Sequence, residues 1–76
     1  MTGTKIDKLV RMANQIGEFY AAMPENEAAN GAATHFRRYW TPKMIRELVA
    51  FTETGRPGLN STAARAVAVL KNTALA

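Results

Sequence analysis

Only a few residues in this chain could do chemistry at neutral pH. His35 is the only histidine, and histidine is the side chain whose ordinary titration range spans physiological pH. A catalytic histidine needs a nucleophile or substrate beside it and a group to orient it. The only aspartate, Asp7, and the only serine, Ser61, both lie far from it in sequence. Ser61 reads more simply as a first-turn helix residue. With one histidine and no cysteine, the chain lacks the usual metal-ligand spacings. Glu25 and Glu27 suit the first turn of a helix, where acids complement the dipole, without any catalytic role. Gly55-Arg56-Pro57-Gly58 matches no phosphate-cradling loop. No catalytic, cofactor-binding or metal-binding residue is assigned.

Binding is a better match. His35 opens the run His-Phe-Arg-Arg-Tyr-Trp-Thr-Pro-Lys-Met, which holds the only tryptophan, and Arg46 follows shortly after. No acid occurs between Glu27 and Glu47 to neutralise these cations locally. Aromatic residues and arginine are enriched where proteins hold other molecules. The competing reading makes the rings core and the charges solvated. On one helix, however, Arg37, Arg38 and Trp40 cannot all face the same core. The expected partner-binding residues are His35, Arg37, Arg38, Trp40, Lys43 and Arg46.

Thr41-Pro42 divides this run. Threonine caps a helix start, proline is tolerated in the first turn, and the residue before a proline is pushed out of the α region. One helix should therefore end near Tyr39-Trp40 and another begin at Pro42.

The remaining elements follow from period. Thr4 opens a first helix, with Asp7 three residues on in a capping-box arrangement. Ile6, Leu9, Val10, Ala13, Ile16, Gly17 and Tyr20 form its apolar stripe, which Met12, Phe19 and Met23 widen. Pro24 should end it near Ala22 or Met23. A second helix carries Ala28, Ala29, Ala32, Ala33, Phe36, Tyr39 and Trp40, small residues early and rings late. Gly31 weakens it by about 1 kcal/mol relative to alanine unless it permits a close backbone approach. The third helix repeats Met44, Ile45, Leu48, Val49 and Thr52 with Phe51 alongside, and Gly55 suits the position just past its end. Leu59-Asn60 reads as an apolar residue and a cap. The last helix, about Ser61 to Lys71, buries Ala63, Ala66, Val67 and Leu70, and 72–76 should fray. No segment alternates with period two, and no repeat appears. The expected fold is all-α, a small compact bundle of about four helices forming a single domain over 1–76.

Composition narrows the function classes. Seventy-six residues bury only about 60–65% of their unfolded surface, so modest stability is expected. The absence of cysteine excludes disulfide, thiolate and iron–sulfur chemistry carried by this chain. No apolar stretch approaches the roughly 20 residues of a membrane span, and a cytoplasmic location is expected. The net charge of +4 is uneven: 1–23 carries +1, 24–41 and 42–54 are neutral, and 55–76 holds Arg56, Arg65 and Lys71 without an acid. A helix-turn-helix nucleic-acid binder is the alternative architecture. Its reader helix would carry Lys43, Arg46, Glu47 and Glu53, a neutral set facing phosphates, which disfavours it.

Several stretches together resemble a known family. Lys8-Leu9-Val10-Arg11-Met12-Ala13-Asn14-Gln15-Ile16, then Phe19-Tyr20, His35 and Tyr39-Trp40-Thr41-Pro42-Lys43-Met44, look like the delta subunit of the soluble NAD-dependent, molybdenum-containing formate dehydrogenase. The resemblance covers about residues 5–55. The family favours Phe-Trp-Asp-Pro-Arg-Met at the corner, and Tyr39, Thr41 and Lys43 keep its chemical types. After Gly55 the match weakens, with Leu59-Asn60-Ser61 where Leu-Asp-Pro is expected. The resemblance implies a small, non-catalytic accessory subunit without a cofactor of its own, which helps maintain or assemble a complex through electrostatic contacts. Its partners would be the larger formate dehydrogenase subunits, which carry the molybdenum cofactor, iron–sulfur clusters and FMN. Self-association of the isolated chain is left open.

Overall fold

The computed structural model describes residues 5–55 and 57–75, the side chains of 73–75 excepted. Four helices follow in order: α1 (Lys5–Tyr20), α2 (Glu25–Tyr39), α3 (Pro42–Glu53) and α4 (Ser61–Leu75). The all-α bundle expected from the periodicity is the fold found, with no strand among the described residues.

Local chemistry accounts for most boundaries. Thr41 caps α3: its Oγ1 accepts from the Met44 N–H at 3.2 Å, with Pro42 in the first turn. Thr41, next to that proline, sits in extended backbone at ψ 156°, and Trp40 before it is also extended, so α2 cannot continue. Beyond α3, Gly55 takes φ +76°, the left-handed turn that favours glycine. Asn60 caps α4 through Oδ1, which accepts from the Ala63 N–H at 2.8 Å.

Two boundaries differ from the sequence reading. α1 stops at Tyr20, earlier than Ala22 or Met23, and the Met23 N–H donating to the Tyr20 carbonyl at 3.0 Å closes a tight turn before Pro24. α2 starts directly after Pro24 with no side-chain cap, and Glu25 and Glu27 stand in its first turn as read from the sequence. α4 runs to Leu75, past Lys71, because Asn72 to Leu75 contain neither glycine nor proline to stop it. The expected Thr4 cap, Arg56 of the α3–α4 loop and Ala76 lie outside the described residues.

The core is built from small and large residues in complementary places. Ala28, Ala29, Ala32 and Ala33 on α2 and Ala63 and Ala66 on α4 are all buried, and α2 and α4 form the most extensive helix pair. Small side chains let these backbones approach closely. Phe36, Trp40, Leu48, Val67 and Leu70 fill the wider end, and Leu9 and Ala13 of α1 close it. The radius of gyration is 11.4 Å, the compactness expected for this chain length. No described helix is long and apolar enough to cross a membrane.

Candidate functional site

The bundle splits the aromatic basic run between core and surface. At about 100° per residue, the buried face of α2 centres on Phe36, and Trp40, one turn later, follows it inward. Trp40 is 6% exposed, and its ring meets Phe36 edge-on at 4.7 Å. Tyr39, which the sequence reading placed on the apolar face, is 71% exposed at the last residue of α2, although it lies on the flank that carries buried Ala28 and Ala32. His35 and Arg38 share that flank. Arg37 lies on the far side of the helix from His35. Lys43 and Arg46 stand on the exposed face of α3.

His35 is half-buried between two rings rather than beside a nucleophile. Its ring centre is 6.2 Å from Tyr20 and 4.7 Å from Tyr39, and Phe19 meets Tyr20 edge-on at 5.1 Å. These four rings make a continuous surface strip across α1 and α2. They border a groove of about 590 Å³ that Gly31 and Arg38 also line. A Cβ on Gly31 would sit 2.8 Å from the Tyr20 ring, so the glycine gives room to a side chain rather than to a second backbone. Phe19, 76% exposed, does not widen the packed stripe of α1 as its spacing suggested. The sequence reading singled out His35 and Arg38 but not Phe19, Tyr20 or Gly31 as their neighbours. The Phe19-Tyr20 pair, quoted for its resemblance, was the available signal.

Charges sort in a comparable way. Lys5 meets Glu47 at 3.7 Å, Lys71 meets Glu53 at 2.7 Å, and Arg65 pairs with Glu25. Two cations of the acid-free C-terminal region are thereby matched to acids of α2 and α3. Arg38, Lys43 and Arg46 have no ion-pair partner among the described residues. No group of three or more potential metal ligands comes together among those residues.

A second polar feature, on the other side of α1, is closed rather than open. Asn14 Nδ2 donates to the Gly58 carbonyl at 2.7 Å, and the Asn60 N–H donates to Asn14 Oδ1 at 2.8 Å. Asn60 Nδ2 donates in turn to the Asn14 carbonyl at 3.0 Å. Gly17 completes this latch: a Cβ there would fall 2.4 Å from Asn60 Oδ1 and 3.0 Å from the Ala63 nitrogen. The capped N-terminus of α4 thus lies directly on the backbone of α1.

Comparison with known proteins adds one match. Neither curated proteins nor solved structures provide one. The family model described as NADH-dependent formate dehydrogenase delta subunit FdsD matches residues 8–67. That span includes the Asn14–Asn60 latch, the ring strip and the cationic corner, and covers most of the chain. The chain therefore belongs to the formate dehydrogenase delta subunit family.

Proposed function

We propose that this chain is a non-catalytic accessory subunit that stabilises or helps assemble the larger formate dehydrogenase subunits. His35, Arg37, Arg38, Lys43 and Arg46 form the contact region, with Trp40 supporting it from the core. The observation that carries the reading is the division of charge. The bundle pairs Lys5, Arg65 and Lys71 with its own acids, whereas Arg38, Lys43 and Arg46, near the α2–α3 corner, are exposed without an ion-pair partner among the described residues, as Lys8 and Arg11 of α1 also are. Exposed cations contribute little to folding, but at an interface they steer association and make it salt-dependent. Arginine can also hold a carboxylate through two parallel bonds.

The test is co-expression with tagged larger subunits. The wild-type chain should be retained on them, and alone it should not reduce NAD with formate. Arg38→Glu with Lys43→Glu should melt within a few degrees of wild type, since exposed charges tolerate change. Its retention should fall at low salt by about tenfold or more. Wild-type retention of this variant across a salt series removes the corner from the interface. Sequence-specific DNA binding that survives physiological salt favours the helix-turn-helix alternative instead.

A further inference from the structure

The cationic corner leaves the ring strip between α1 and α2 unexplained. Among the described residues, Phe19 and Tyr39 are the most exposed large apolar side chains, at 76% and 71%, and they stand on facing elements. Exposure of this kind in a folded domain marks contact surfaces. The groove they border continues along α1: a second depression of about 260 Å³, walled by Gln15 and Ile16, shares Phe19, Tyr20 and His35 with the first. Together they make an elongated trough. A compact small molecule would occupy one part of it and leave the outer faces of Phe19 and Tyr39 wet. A length of polypeptide would cover both.

Charge narrows the occupant further. Arg38 lines the trough without an ion-pair partner among the described residues, and no acid lines it. Glu18 and Glu27 are exposed outside it. Asn30 and Thr34 add side chains able to bond a peptide backbone. Lys43 and Arg46 take no part in this surface. We infer that the α1–α2 trough is the docking surface for an acidic segment of a larger formate dehydrogenase subunit. That segment lays an apolar or aromatic side chain between Phe19 and Tyr39 and a carboxylate against Arg38. The inference rests on the accessory-subunit reading and adds which surface binds and what it binds.

Phe19→Ser with Tyr39→Ser removes both walls and no charge. Because both residues are exposed, the variant should keep the wild-type helical spectrum and melt close to it. Retention on the tagged larger subunits should fall about tenfold, as for loss of aromatic anchors, and lowering the salt should not restore it. Arg38→Glu should also lose retention, and Arg38→Lys should keep more of it. If wild type is retained and the double-serine variant is retained equally, the trough is not the docking surface, although the accessory reading stands. If wild type itself is not retained, that reading fails first. If Arg38→Glu binds as wild type while the serine variant does not, the acidic character of the segment is overturned. Sedimentation of the isolated chain tests the remaining occupant: a wild-type dimer that the serine substitutions convert to monomer assigns the trough to a second copy and overturns the proposal.

Discussion

Two regions of α1, only a few residues apart, meet the rest of the bundle in opposite ways. At Asn14 and Gly17 the helix is locked to the loop and cap of α4, every polar atom of the Asn14 side chain having an in-chain partner. At Phe19 and Tyr20 it carries rings over α2 that nothing in the chain covers fully. A polar group satisfied inside the molecule holds the fold. A large apolar group left in water does nothing for the fold and is available to something else. Residues from a single stretch of α1 therefore divide into packed and uncovered ones by what surrounds them.

The largest expected effect breaks the latch. Asn14→Ala removes two hydrogen bonds and leaves the Asn60 N–H and the Gly58 carbonyl without this partner. A loss of about 2–3 kcal/mol is expected, lowering the melting temperature by roughly 10 °C or more in a thermal scan. A change of only a degree or two would mean that water replaces the latch at no cost and that Asn14 belongs with the surface residues.

Next comes Gly17→Ala. The added Cβ meets backbone and a capping oxygen that cannot both move without shifting α4. Overpacking costs about 1–3 kcal/mol, offset by about 1 kcal/mol of helix propensity, so a net loss of up to about 2 kcal/mol is expected by chemical denaturation.

The smallest effect is Gly31→Ala, which sharpens the contrast. Its Cβ meets the side chain of half-buried Tyr20, which can swing outward, and the same gain in propensity applies. Stability should change by less than about 1 kcal/mol in either direction. Equal losses at the two glycines would show the ring strip to be as rigid as the latch.

Much of the fold was legible without coordinates, because its signals are local. The Thr41-Pro42 break and the Asn60 cap act through groups one to three residues away, and Gly55 through its own φ. The four apolar positions expected on α4 are all buried, since a period of 3.6 constrains a helix face however its neighbours are placed. Helix ends were less legible: α1 stops before Pro24 forces it to, and α4 continues past Lys71.

What the tertiary structure alone decided depends on how each helix is rotated against its neighbours. Tyr39 and Trp40 are adjacent aromatic residues, and either suits a core by composition. Both lie within about 60° of Phe36 around the helix, and the packing at the end of α2 takes Trp40 in, edge-on to Phe36, and leaves Tyr39 out. The C-terminal region reads as an acid-free basic segment in one dimension. It is partly neutralised in three, because Arg65 and Lys71 meet Glu25 and Glu53 from other helices. Asn14 and Asn60, 46 positions apart, each look like an ordinary polar helix residue or cap until packing makes them partners. Local patterns determine which faces exist, whereas the pairing of faces is a joint property of all four helices, settled by the shapes and charges that must fit together at once.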